Sequence, residues 1–264
     1  MINKISSYIK FLLKSKSCKN IHSPFVFDFI ESILLNKDIY YSFLAIEFIR
    51  KQLQVDYTII NINDLGAGSK GKKLKSSSVS KIAYKSLQKD EIAQLLFKII
   101  NNYKLNNRLE LGTSLGITTS YLSTAIKNKG QVYTVEANKE TSNIAAEVFN
   151  KLKLKNINLI TDEFSKVLPA IISKIDSLDF AYFDGNHSKI PTLEYFNICK
   201  KAANRNSVFV FDDIYWSKSM QEAWGEIKED EKVTLTIDLY RIGIVFFHPV
   251  KVKMNYKLRG SFNF

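Results

Sequence analysis

From residue 107 onward, short apolar runs of strand length alternate with segments of helical period. The runs are Arg108 to Leu111, Gln131 to Val135, Ile157 to Ile160, Leu178 to Phe183 and Ser207 to Phe211. Runs buried on both faces belong to parallel strands, and parallel neighbours need crossover connections, which the intervening helical segments supply. The alternation therefore predicts an α/β fold with a mostly parallel sheet covered by helices on both faces. The end of the chain breaks the pattern. Val233 to Leu239 and Ile242 to Phe247 are joined only by Tyr240 and Arg241, too few residues for a crossover, so these two runs are expected to pair antiparallel as a hairpin and bring the sheet to seven strands.

Before residue 105 the periodicity is mostly helical, which predicts an N-terminal extension or cap over 1–104, a sheet-based domain over 105–250 and a tail over 251–264. Helices are expected over Ile2 to Leu13, Pro24 to Leu34, Tyr41 to Leu53 and about Asp90 to Tyr103. Ser23 supplies an N-cap and Pro24 a favourable first helical position. The segment Ile21-His22-Ser23-Pro24-Phe25 is expected to lie over the mouth of the site as a lid, with His22 as a candidate substrate contact. Tyr57 to Leu65 leads through Gly66-Ala67-Gly68 into a lysine-rich connection read as a loop. Asp64-Leu65-Gly66-Ala67-Gly68 imitates a ligand-binding turn, but lysines follow it where an apolar helix is needed.

The net charge of +12 is uneven, because residues 1–100 carry sixteen basic against eight acidic side chains. Seven lysines and no acid lie between Lys70 and Lys89, a field able to attract phosphates, although it lacks the arginines and interleaved aromatics of a nucleic-acid reader. Cys18 and Cys199 show no metal or disulfide spacing, and no apolar run reaches the length of a membrane span. A cytoplasmic protein is expected, with no transmembrane segment.

The chemistry concentrates at strand ends. Leu109-Glu110-Leu111-Gly112-Thr113-Ser114-Leu115-Gly116 joins the first strand of the alternating region to a helix, and glycines let such a turn bend sharply beside a ligand. Ligands of open α/β sheets sit outside the carboxyl ends of the strands. The next strand ends in Glu136, twenty residues past Gly116, where a carboxylate can accept from two ribose hydroxyls. A dinucleotide fingerprint requires glycine where this chain has Ser114, so a nucleotide-like cofactor without a pyrophosphate fits better. Phe183-Asp184-Gly185-Asn186-His187 and Phe211-Asp212-Asp213-Ile214-Tyr215-Trp216 end the fourth and fifth strands of that region. Carboxylates gathered in one place call for compensation, and a divalent cation such as Mg²⁺ held by Asp184, Asp212 and Asp213 is the expected source. Tyr215 and Trp216 are candidate walls of an acceptor pocket. Arg241, in the hairpin turn, is expected to be solvated.

These motifs resemble the class I S-adenosylmethionine (SAM)-dependent methyltransferases, whose glycine motif reads like residues 109–116 here, and the resemblance extends to about residue 248. It implies a Rossmann-like sheet with a reversed last strand and a SAM site. The residues it points to are Glu110, Gly112, Thr113, Ser114, Gly116, Glu136 on the ribose, Asp162 near the adenine and Asp184. The pair of acidic strand ends is similar to metal-dependent O-methyltransferases of the catechol and sugar types, which implies a metal on Asp184, Asp212 and Asp213. Those sugar-modifying relatives carry an acidic base where this chain has Asn186, so His187 is the candidate base, with Asp184 beside it as a second catalytic residue. The expected activity is O-methylation of a small hydroxylated molecule. The alternatives are an RNA methyltransferase using the basic extension and a non-catalytic SAM-binding protein.

Overall fold

Ser23 and Pro24 begin a helix for the reason their chemistry suggests. The Ser23 hydroxyl accepts from the Val26 N–H at 3.5 Å, and Pro24 takes a position whose N–H would have no partner inside the helix. The structure is a computed structural model describing residues 2–18, 21–63, 74–126, 130–250 and 252–260. The Asp64–Gly68 turn and Lys70, Lys72 and Lys73 lie outside the described residues.

The extension opens with α1 (Ile2–Lys14), a short strand β1 (Lys16–Ser17) and α2 (Pro24–Phe29), which continues as a π-helical turn over Ile30–Leu34. It goes on through α3 (Tyr41–Gln54), an antiparallel pair of strands β2 (Ile59–Asn63) and β3 (Leu74–Ser78), then α4 (Val79–Ser86) and α5 (Asp90–Tyr103). The strand pair stands in the region expected as a loop. It docks on the chain further along, where the Asn61 N–H donates to Glu140 Oε2 at 2.7 Å and Asn138 Nδ2 donates to the Asn61 carbonyl at 3.1 Å.

The expected strands follow in order: β4 (Asn107–Leu111), β5 (Gln131–Glu136), β6 (Ile157–Thr161), β7 (Leu178–Phe183), β8 (Ala203–Phe211), β9 (Leu235–Asp238) and β10 (Gly243–Phe246). Between them lie α6 (Ile117–Thr124), α7 (Lys139–Lys151), α8 (Phe164–Ile172), α9 (Lys189–Cys199) and α10 (Lys218–Glu229). A last strand, β11 (Met254–Arg259), arises from the segment expected as a tail. The sheet runs β1-β11-β9-β10-β8-β7-β4-β5-β6. Strand β10 is antiparallel to both its neighbours, and every other pairing is parallel. The seven expected strands thus form the α/β sheet with its antiparallel hairpin strand, and β11 and β1 lengthen it at the β9 edge.

Alternate residues of the central strands feed two cores, as the two-residue side-chain period of a strand requires. Phe180, Tyr182, Val208 and Val210 face a cluster that contains Phe29, Ile33, Phe43, Ile46, Leu96 and Ile100 of the extension. Ala181, Phe183, Phe209 and Phe211 face α8, α9 and α10. The extension therefore covers one face of the sheet and shares its core. Among the described residues no helix is long and apolar enough to cross a membrane.

Candidate active site

Parallel strands β4 to β8 deliver their carboxyl ends to one edge, and the polar residues singled out above follow those ends. The turn after β4 is held by main-chain bonds from Gly112 N–H and Thr113 N–H to the Val135 carbonyl, at 3.1 and 3.2 Å. Ser114 and Gly116 both have left-handed backbone (φ 49° and 82°), and Gly112 has φ 111°. A Cβ on Gly112 would stand 2.4 Å from the Asp184 carbonyl oxygen, and one on Gly116 would stand 2.7 Å from the Phe149 ring. Close packing of protein on protein thus demands both glycines.

Glu136, at the end of β5, accepts from the Ser114 N–H through Oε2 and from the Asn138 N–H through Oε1, each at 2.9 Å. Burial raises its pKa, against the lowering effect of those main-chain donors. Each oxygen keeps further acceptor capacity for a ligand hydroxyl. Glu110 is fully buried beneath the turn. Its Oε2 accepts from Thr119 Oγ1 at 2.5 Å and Thr134 Oγ1 at 2.6 Å, and Thr113 Oγ1 lies 2.6 Å from Thr134 Oγ1. Its Oε1 is buried with no partner. Burial pushes Glu110 up to about 8 despite the two hydroxyl donors. An orphaned carboxyl oxygen within a cluster of acids is the kind of feature a cationic ligand would satisfy, and SAM bears both an ammonium and a sulfonium. Asp162 follows β6 and is exposed, receiving its neighbour Glu163 N–H at 2.7 Å, with Lys166 Nζ at 3.7 Å.

The second group lies after β7 and β8. Asp184 is held well above the usual carboxylate range, first by burial, then by the charge of Asp212 and a hydrogen bond to it, then by Asp213. His187 Nε2 stands 3.8 Å from Asp184 Oδ1. The Asp212 side chain is 2% exposed and accepts from Gln88 Nε2 at 2.6 Å and from Arg241 Nε at 3.3 Å and NH2 at 3.4 Å. Arg241 Nε also approaches Asp213 Oδ1 at 3.6 Å. The expectation that Arg241 is solvated is therefore corrected. The strand before its turn, β9, runs parallel to β8 across the intervening β10, so the turn arrives at the same carboxyl edge and carries the guanidinium onto the acids.

The expectation of a divalent metal on Asp184, Asp212 and Asp213 also meets difficulty in this donor set. Among the described residues no group of three or more His, Cys, Asp or Glu is arranged to hold a metal ion. The oxygens of Asp212 are engaged by amide and guanidinium donors, which aim N–H groups at the place a cation would have to bind. As placed, these residues do not fit a metal.

Two contributors escaped the sequence reading. Gln88 lies between α4 and α5, and its Nε2 reaches both Tyr182 OH and Asp212 Oδ2 at 2.6 Å. Behind it, Arg50 NH1 donates to the Gln88 carbonyl at 2.7 Å, Arg50 pairs with Glu47, and Tyr121 OH donates to Glu47 at 2.8 Å. An arginine on the face of α3 that otherwise presents Phe43, Ile46, Ile49 and Leu53 was the one available signal.

Other candidates lie elsewhere or have other work. Tyr215 donates to Asp238 Oδ2 at 2.9 Å and stacks on Tyr240 with centroids 4.8 Å apart, while Trp216 is 55% exposed. The segment Ile21–Phe25 forms no lid over the site. Phe25 packs on Phe246 and His248, beyond the far end of β10, at 5.1 and 4.6 Å, and His22 is exposed. There Phe25 lines a cavity of about 610 Å³ with Tyr103, Arg205 and Asn206, at the opposite edge of the sheet from Glu136.

Comparison with known proteins agrees with this geometry. Residues 109–214 match a family model described as a methyltransferase domain. Over 94 residues the chain is 34% identical to a tRNA (guanine-N(7)-)-methyltransferase of Mycoplasma mobile, an alignment covering 35% of this chain and 44% of that protein. The chain thus spans less than half the length of that curated relative. An O-methyltransferase from Bacillus cereus in complex with SAH superimposes with a TM-score of 0.57 at 16% identity, over 83% of this chain and 96% of its own. The O-methyltransferase TomG from Streptomyces achromogenes, involved in tomaymycin synthesis and solved with SAM, gives a TM-score of 0.56 at 16% identity over 62% and 82% of the two chains. Identities this low speak for the fold alone, and the matched segment runs from β4 to the loop after β8 that holds Asp212 and Asp213. Residues 109–214 therefore match a methyltransferase-domain family model, and the chain shares its fold with these solved O-methyltransferases.

Proposed function

We propose that this protein is a SAM-dependent O-methyltransferase acting on a small hydroxylated molecule. The observation that carries the proposal is the continuity of the acidic edge. Glu136 is bonded to the glycine turn through Ser114, and Asp184 abuts the same turn through its main-chain carbonyl at Gly112. Cofactor-binding and acceptor-handling residues then share one cleft.

In this reading Glu136 receives the ribose hydroxyls, Glu110 Oε1 faces the ammonium group, the turn from Gly112 through Thr113 and Ser114 to Gly116 cradles the cofactor, and Asp162 borders the adenine. Bound there, SAM supplies an activated methyl group. Asp184 closes the cofactor side and stands 3.8 Å from His187 Nε2, where it orients the imidazole. With Nε2 turned toward Asp184, His187 Nδ1 is the ring nitrogen positioned to take the acceptor's hydroxyl proton. Burial of the acids keeps water scarce around the reacting oxygen. A reducing, cytoplasmic setting suits Cys18 and Cys199, which are both unpaired.

The test is incubation with isotopically labelled SAM and separate pools of catechols, phenols and hydroxylated sugars. Label in a small-molecule product supports the reading, and SAM binding without transfer to any pool would leave the non-catalytic alternative standing.

A second reading, methylation of RNA, draws on the 34% identity to the tRNA methyltransferase segment and on the basic extension, where Lys81, Lys85 and Lys89 are exposed. It requires binding to tRNA that weakens steeply with added salt, and absence of binding at low salt rejects it.

A further inference from the structure

We propose that Arg241 is the resident cation of this site, occupying among the strand-end acids the charge-balancing place a divalent metal would take, so that methyl transfer here proceeds without a bound metal ion. The inference rests on the methyltransferase reading, and four observations support it.

Arg241 arrives on the β9–β10 turn and meets both acids after β8, with Nε 3.3 Å from Asp212 Oδ1 and 3.6 Å from Asp213 Oδ1. The turn is anchored to the same loop by a main-chain bond from the Ile214 N–H to the Arg241 carbonyl at 3.2 Å. The backbone that carries Arg241 is thus fixed beside the loop that carries both acids.

Gln88 fixes the arrangement from the other side. Its Oε1 accepts from Arg241 NH2 at 2.8 Å and from the Lys89 N–H at 3.1 Å, which sets the amide so that Nε2 points at Asp212 and Tyr182. An N–H donor aimed at Asp212 repels a cation approaching the same oxygen.

Asp212, the most deeply buried of the three acids, has both oxygens committed, Oδ1 to Arg241 Nε at 3.3 Å and Oδ2 to Gln88 Nε2 at 2.6 Å and Arg241 NH2 at 3.4 Å. A hard divalent ion wants several anionic or carbonyl oxygens with free lone pairs and dislikes a guanidinium alongside. The donors around Asp212 leave neither condition met.

The Arg241 side chain is 29% exposed, so part of it meets solvent beside the two acids. A guanidinium in that position can hold an acceptor oxygen as its proton leaves, which is the electrostatic part of a metal's role without the coordination. Arg241 is in this sense a substrate-facing residue, and Gln88 is the residue that positions it.

The experiment titrates the full-length protein with Mn²⁺, followed by calorimetry and by the electron paramagnetic resonance signal of free Mn²⁺. SAH binding is measured on the same preparation. The wild type is expected to take up no stoichiometric Mn²⁺ at concentrations up to the millimolar range, with SAH binding unaffected by excess chelator. Arg241→Met, which removes the charge and keeps the apolar stem, is expected to acquire about one equivalent of Mn²⁺ binding that Asp212→Asn then abolishes. Arg241→Lys is expected to stay metal-free. One equivalent of Mn²⁺ bound by the wild type and lost in Asp212→Asn would overturn the proposal, whether or not the Arg241 variants fold. A protein that binds neither Mn²⁺ nor SAH would instead sink the methyltransferase reading, so the two failures are distinct.

Discussion

The main-chain N–H of Ser114 donates to Glu136 Oε2 across 2.9 Å, joining the turn after β4 to the acid that ends β5. Two strands neighbouring in the sheet are thereby locked at their carboxyl ends before any ligand arrives. The left-handed backbone of Ser114, φ 49°, is what turns its N–H toward the carboxylate. Preorganisation of this kind lowers the ordering cost of binding.

Gly112→Ala is expected to be severe for reasons of folding. The new Cβ meets the Asp184 carbonyl at 2.4 Å in a backbone conformation, φ 111°, that alanine avoids. A loss of about 2–4 kcal/mol is expected from strain plus displaced main chain. Urea unfolding measures it, and a change below about 0.5 kcal/mol would contradict the packing described.

Glu110→Gln is expected to change the pH dependence of stability. The folded-state pKa of Glu110 is raised to about 8 from an ordinary 4.5, with burial as its chief cause. A raised carboxyl contributes its full stability below the unfolded value and loses it as pH rises through the folded one. The wild type should therefore lose stability between about pH 5 and pH 8 relative to the variant, and the gap in Tm should widen with pH. Parallel Tm curves from pH 5 to pH 9 would contradict it. The same variant should bind SAM more weakly, because no carboxylate remains to face the cation.

Gln88→Ala separates the extension's role in chemistry from its role in packing. It leaves the buried Tyr182 hydroxyl and Asp212 short of a donor, a cost of about 1–3 kcal/mol in stability. Since Gln88 positions Arg241 and does not adjoin Glu136, kcat should fall about tenfold or more while the Kd for SAH stays within about threefold. A fall in SAH affinity matching the fall in rate would place Gln88 in the cofactor site instead.

His187→Ala is expected to lower kcat by about 10²–10⁴ with SAH affinity retained, the range for loss of a general base. Asp184→Asn should have a smaller effect on kcat through the imidazole it faces at 3.8 Å. A variant at His187 with unchanged kcat and an unchanged pH–rate profile would remove it from the mechanism.

What could be read from the sequence follows from where each feature is encoded. Strands β4, β7 and β8 were legible because strands buried on both faces are nearly continuous apolar runs, and Glu136 was legible because it ends the apolar run of β5. The hairpin followed from a connection too short to cross over. Strand β11 was missed although Met254, Tyr256 and Leu258 alternate with Asn255, Lys257 and Arg259, because so short a run names no partner and its pairing with β9 and β1 is tertiary. The glycines were recognised, but the Asp184 carbonyl and the Phe149 ring that require them come from distant segments. Arg241 and Gln88 meet across 153 positions, and only the reversed direction of β10 brings that turn to the edge where β8 ends.

The central claim is that the Gly112 turn and Glu136 together hold an adenosyl cofactor. Isothermal titration of the purified protein with S-adenosylhomocysteine, beside Glu136→Ala, tests it most directly. Binding of one equivalent by the wild type, weakened about tenfold or more in the variant, is the predicted result. No heat with the wild type, or equal affinity in both proteins, would contradict it.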